Sequence, residues 1–254
     1  MELEISDLAF AGFRYKDLLK VDHTLGVEFF YEFGTDVYWD AVLPQIMQNR
    51  PHVLSIHGPC LCVNLADASR DKYYEKVFQD TFAYAKKVQA EFVVVHTNEE
   101  VYDKDLVALR YSVLTKLRYL EKMARTAGVT MVVENVGLRP CKNLLFDWQD
   151  FQKLMADLPE VPVLIDTGHA HVNGWNLPEV FKYFGKRIIG IHVHDNNGLA
   201  DQHQAVGLGN IDWQETFAAI KDYCPKARLV LEYAATSSKE LAVHVPMLKE
   251  KYGI

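Results

Sequence analysis

Eight times along this chain a short run of aliphatic, β-branched or aromatic residues gives way to a longer stretch with helical periodicity. That alternation limits the fold more than any other feature. The runs lie at residues 4–10, 26–30, 53–57, 92–96, 130–134, 163–166, 188–194 and 228–232. Most are apolar almost throughout, as strands of a parallel sheet covered on both faces should be. Amphipathic segments between and after them predict helices over 72–88, 106–127, 148–157, 212–223 and 237–252. Asp105 and Ser237 stand where N-caps belong and Gly128 where a helix should end. Eight strand–helix pairs predict a parallel (β/α)8 barrel, although an open parallel sheet also fits the alternation.

The length of 254 residues suits one such barrel, and 49 % hydrophobic residues supply a sizeable core. No Pro/Ser-rich linker or compositional shift divides the chain, so a single domain over 1–254 is expected. With 34 acidic against 27 basic residues the net charge is −7, which offers no general basic footprint for nucleic acid. Cys60, Cys62, Cys141 and Cys224 lack zinc-knuckle spacing and read as free thiols of a reducing compartment. The start Met1-Glu2-Leu3-Glu4 lacks the basic and apolar regions of a signal peptide, and no apolar run reaches membrane-spanning length. A cytoplasmic protein without a membrane partner is the expectation.

The strands end on a particular kind of side chain. They close as SIH with His57, VVVH with His96, VVEN with Glu134, LIDTGH with Asp166 and His169, IHVHD with His192, and LEY with Glu232. Asp201 and His203 follow in a polar, Gly-containing loop. In a parallel barrel the C-terminal strand ends and the loops after them converge on one mouth, so residues as distant as His57 and Glu232 can share a site. Imidazole and carboxylate are the ligands of zinc, manganese and iron. A single strand-end histidine is more often a hydrogen-bonded core residue, and a single Asp or Glu is often a cap. Nine such residues at six strand ends or adjoining loops point instead to a shared metal site.

Other polar residues carry weaker signals. His194 shares a strand face with His192 one layer further on, and both a supporting and a substrate-facing role stay open. His171 reads as a loop residue or a functional one. Glu28 could reach the mouth, or pair structurally. His23, His52 and His244 sit in helix or loop contexts without a catalytic role. Trp148, Trp175 and Trp213 read mainly as packing residues.

These residues together resemble the xylose isomerase-like superfamily, which unites sugar and sugar-phosphate isomerases and epimerases with endonuclease IV. The resemblance is clearest from Val53 to Glu232. It implies an epimerase-type core of four metal ligands, Glu134, Asp166, His192 and Glu232. It also implies the wider endonuclease IV set. There His57 and His96 hold a first ion with Glu134 bridging, while His169, Asp201 and His203 hold a third; Gly207-Leu-Gly-Asn-Ile is similar to the family's Gly-x-Gly loop. One to three divalent ions (Zn2+, Mn2+, Mg2+ or Co2+) are therefore implied. Where endonuclease IV carries a DNA-inserting Tyr-Leu pair, this chain has Cys60-Leu61, and Gly12-Phe13-Arg14 does not resemble its first loop.

The resemblance thus favours a metal-dependent isomerase or epimerase of a small sugar, sugar phosphate or polyol-derived ketone, working through an enediolate. Glu134 and Glu232 would be the proton carriers, and His169 would hold a substrate oxygen or a second ion. The alternative is endonuclease IV-like cleavage at abasic DNA sites. A lyase, a dehydratase or a non-catalytic metal binder on the same scaffold is a further reading. A small carbohydrate is the expected partner, with nucleic acid the lesser expectation.

Overall fold

The computed structural model describes residues 1–10, 14–32, 34–61, 63–67 and 72–254. Gly12, Phe13 and Cys62, noted above, fall outside them. Eight parallel strands close a barrel in sequence order, β1 pairing with both β2 and β8. They are β1 (Leu3–Ser6), β2 (Gly26–Phe30), β3 (Leu54–His57), β4 (Val93–His96), β5 (Met131–Glu134), β6 (Val163–Asp166), β7 (Ile188–Val193) and β8 (Arg228–Leu231). Around them run α1 (Tyr15–Leu18), α2 (Asp36–Ile46), α3 (Tyr73–Val88), α4 (Leu106–Ala127), α5 (Trp148–Ala156), α6 (Thr167–Val172), α7 (Leu177–Phe184), α8 (Trp213–Tyr223) and α9 (Ser238–Tyr252). Among the described residues, no helix is long and apolar enough to cross a membrane.

Strand alternation splits the core in two. Outward residues such as Ile5, Val27, Phe29, Val93 and Ile191 join the helices in one large apolar cluster. Inward on the opposite wall, Phe92, Val94, Val132 and Leu164 form a separate small cluster. Gly190 faces them because a Cβ there would come within 3.0 Å of Leu164 and 3.1 Å of Phe92. The rest of the lumen is polar and buried, with Glu4, Glu28 and Ser55 fully enclosed.

Two expectations need correction. The run 4–10 is strand only to Ser6, and Asp7–Phe10 turns into a 3-10 helix. Side chains divert it: Ser6 Oγ accepts the Leu8 N–H at 3.3 Å, and Asp7 Oδ1 accepts the Phe30 N–H at 2.9 Å. Limits for the helices α1, α2, α6 and α7 were not among those expected. Three are eight residues or shorter, and α2 carries Pro44 near its end, so none offers a long uninterrupted period.

Candidate metal centre

Strand register builds the site. His96 pairs with Glu134 across β4 and β5, and Asp166 pairs with His192 across β6 and β7. Two residues before each lies a lumen residue of the same face (Val94, Val132, Leu164, Gly190), so all four side chains enter the barrel mouth. Asp166 also caps α6, its Oδ1 accepting the His169 N–H at 2.6 Å, which swings the His169 ring over the same mouth.

The nine side chains expected at the mouth meet there in overlapping groups whose donor atoms lie within 4.8 Å of one another. His57, His96 and Glu134 form one group; Glu134, Asp166 and His192 a second; His169, Asp201 and His203 a third. Glu232 joins through His192 with Glu28, and through His203 with His194. Glu28 and His194, whose roles the sequence left open, thus belong to the same cluster. His171 lies aside, its Nε2 2.6 Å from Asn210 Oδ1. His244 contacts the Tyr233 hydroxyl at 3.2 Å. Trp148 and Trp175 pack on each other at 5.3 Å.

Most of the histidines are held by one ring nitrogen, leaving the other to face the cluster. Nδ1 of His57, His169 and His203 lies 2.9, 3.1 and 2.9 Å from the carbonyls of Gly58, Asn135 and Glu232. His96 Nδ1 is 2.7 Å from the Glu99 carboxylate, while its Nε2 is 3.0 Å from Glu134 Oε2. Such outer contacts fix tautomer and orientation where imidazoles bind ions. His192 Nδ1 faces three carboxylates, Glu232 at 3.4 Å, Glu134 at 3.5 Å and Asp166 at 3.8 Å. His194 Nε2 lies 2.9 Å from Asp166 Oδ2.

Sequence reasoning passed over Asp195 altogether. Its carboxylate accepts backbone N–H bonds from Asn196, Gly207 and Ile211 and the Trp213 indole N–H, all between 2.8 and 3.2 Å. It thereby ties down the loop that carries Asp201 and His203. Gly207 adopts φ +90°, and a Cβ on Gly209 would fall 2.2 Å from the Asn196 carbonyl. Those two contacts give the Gly-x-Gly spacing its physical reason. His203 itself sits at φ 44°, a strained choice for a histidine.

Within the chain alone, crowding sorts the charges. Burial opposes ionisation of Glu134, yet His192, His96 and His169 hold its carboxyl well below the usual range. Burial pushes Glu232 the other way, above the ordinary carboxylate value, although His192 and His203 pull against it. Burial also disfavours protonated imidazoles, but Glu99 and Glu134 overcome this and push His96 up to about 10. His203 rises likewise to about 9 beside Asp201 and Glu232. His57, buried beside His96, is held well below the usual imidazole value.

The donor set fits divalent ions. Imidazoles and carboxylates converge, and His192 Nδ1, His194 Nδ1 and Asp201 Oδ1 are buried without a hydrogen-bond partner among the described residues. Such atoms are costly unless something pairs with them. The mouth also holds a cavity of about 360 Å³, open to solvent and lined by Phe30, Cys60, Asn98 and Leu138 besides the cluster. Burial pushes the Cys60 thiol up, with Glu99 and Glu32 adding to it. Cys60, Cys141 and Cys224 are free thiols.

A closed parallel barrel with histidines and carboxylates gathered at its C-terminal mouth defines a class in which loops and strand ends carry the chemistry. The chain belongs to the xylose isomerase-like TIM barrel family, whose sequence profile matches residues 19–250. It is 26 % identical over 203 residues to the uncharacterized protein MJ1614 of Methanocaldococcus jannaschii, covering 77 % of this chain and 76 % of that one. Its structure is similar to that of a D-tagatose 3-epimerase-like protein, with TM-score 0.76 and 20 % identity, over 99 % of this chain and 97 % of the other. It is also similar to the IolI protein with a bound zinc atom, at TM-score 0.79 and 16 % identity, over 99 % and 98 % of the two chains. At these identities the structural likeness is one of fold.

Proposed function

We propose that this protein is a divalent-metal-dependent isomerase or epimerase of a small sugar, sugar phosphate or polyol-derived ketone. One observation carries the reading. Glu134 and Glu232, at the ends of β5 and β8, approach the same His192 nitrogen at 3.5 and 3.4 Å and line one cavity of about 360 Å³. A substrate seated between them would present a carbon to two carboxylates at once.

Glu134, Asp166, His192 and Glu232 would hold the central ion, and His57, His96, His169, Asp201 and His203 would hold further ions or substrate oxygens. The bound ion would supply Lewis-acid polarisation of a carbonyl and neutralise developing negative charge. The chain's residues do the rest. One of the Glu134 and Glu232 carboxylates takes the proton from the carbon beside the carbonyl, and the other returns one from its own side. His169, fixed by the Asn135 carbonyl, orients a substrate oxygen. The apolar wall of Phe30 and Leu138 excludes water beside the reacting carbon.

The neighbours in fold support this reading through their names, one an epimerase-like protein and one holding zinc. The nine-residue set resembling that of endonuclease IV keeps cleavage of abasic DNA as the second reading. A cavity sized for a small molecule and Cys60-Leu61 at the position of a DNA-inserting pair favour the first.

The test is to strip the protein with chelator, reload it with Zn2+, Mn2+, Co2+ or Mg2+ separately, and follow interconversion of a ketose panel by chromatography. Conversion should vanish on stripping, return with at least one ion, and fall at least a hundredfold in Glu232→Gln, as loss of a proton carrier requires. Conversion that is indifferent to chelation would overturn the reading.

A further inference from the structure

We propose that Glu28 is the positioning residue for His192, holding the ring from inside the barrel so that Nδ1 stays turned toward Glu134, Asp166 and Glu232. This inference rests on the metal-centre reading above. Three other histidines of the centre are steadied by backbone carbonyls and a fourth by Glu99. Among the described residues, His192 has no such carbonyl. Its Nε2 lies 3.0 Å from Glu28 Oε1, and both side chains are fully buried. The pair is off the line of an ideal hydrogen bond, and neither atom has another partner among the described residues. Each is therefore the other's counterpart.

Glu28 is itself fixed from below. Ser55, its register partner on β3, places Oγ 3.1 Å from Glu28 Oε2 and 2.6 Å from Glu4 Oε2. One hydroxyl proton cannot serve two carboxylates. Burial pushes the Glu4 carboxyl well above its usual range, the direction that would let Glu4 supply the second bond of the trio. Arg228, clamped on Glu91 by two 2.6 Å bonds, stands 3.9 Å from Glu4 Oε1 at the barrel floor. From the half-buried Arg228 a column of polar groups, buried from Glu4 onward, thus runs up the lumen to His192. A fully buried carboxylate is costly unless paired. Orienting a ligating imidazole explains why this one is retained.

The experiment uses Co2+ as the probe, titrated into chelator-stripped protein and followed by its visible absorption. Glu28→Gln keeps the side chain's shape and removes its charge. It should leave the far-UV spectrum and melting point of the stripped protein near wild type while weakening Co2+ binding 10- to 100-fold, the effect typical of such outer contacts. A second measurement needs no change at Glu28. In the wild-type protein with 15N-histidine and Zn2+, the resonance lost in His192→Asn should show a shifted Nδ1 and a solvent-protected Nε2–H. Co2+ binding by Glu28→Gln within twofold of wild type overturns the inference, and so does Zn2+ on Nε2 of His192. A wild-type protein that binds no Co2+ overturns the metal-centre reading itself.

Discussion

At the scale of single residues, Gly168 and Asp7 show how closely the mouth is fitted. A Cβ on Gly168 would fall 1.9 Å from His194 Cε1 and 2.4 Å from its Nδ1, and that ring is fully buried against Asp166. Gly168→Ala must therefore displace His194 and free one Asp166 oxygen. It should cost about 1–3 kcal/mol in urea unfolding, as overpacking does, and weaken ion binding; full stability would show the ring has room to move. Asp7 is not a ligand, yet burial and the nearby Glu28 and Glu232 raise its carboxyl from 3.8 to about 7. The sign follows from linkage: the folded chain holds this proton more tightly, so the contribution is complete below pH 3.8 and is lost as pH rises through about 7. In stripped protein, Asp7→Asn keeps an oxygen for the Phe30 N–H and removes that loss. Its melting point should draw level with wild type near pH 4 and rise above it by on the order of 10 °C beyond pH 7. An equal gap at both pH values would contradict the shift.

At the scale of elements, the strand ends were the most legible part of the sequence, because an apolar run that stops on His, Asp or Glu marks both the strand and the mouth. β2, β6 and α4 match their expected limits. Periodicity misled where a side chain captured the backbone, as at Asp7. It was mute for α6, whose six residues owe their turn to the Asp166 cap and not to an apolar stripe. The loop from 196 to 211 was legible for its donors Asp201 and His203 and its Gly-x-Gly spacing, but not for its shape. What organises it is Asp195, whose four donors converge from residues up to 18 positions away, a relation no local pattern reveals. Asp195→Ala would leave those buried donors without their acceptor. It should cost about 2–4 kcal/mol, and amides 196–211 should exchange with solvent faster by mass spectrometry. Unchanged exchange in that loop would show that other contacts hold it.

At the scale of the whole molecule, the candidate centre draws on the strands or strand ends of β2 to β8, so whatever occupies it binds the folded barrel and not the unfolded chain. Ions at a hundred times their dissociation constant should then add about 2.7 kcal/mol to stability, and chelation should lower the melting point correspondingly. Fold and strand-end donors were readable from the sequence because the barrel turns distant residues into neighbours by rule. The tautomer-fixing contacts of Glu28 and Glu99 were not, since they depend on which ring nitrogen turns inward. The central claim is that Glu134 and Glu232 exchange a proton with the carbon of a ketose beside a bound ion. The direct measurement is NMR of ketoses incubated in deuterated water with the metal-loaded protein. One C–H should be lost to solvent exchange for the true substrate, and that loss should disappear in Glu232→Gln even at ion concentrations that load the variant fully. Efficient nicking of an abasic duplex, with no exchange on any ketose of a broad panel, would contradict the account and favour the nuclease reading.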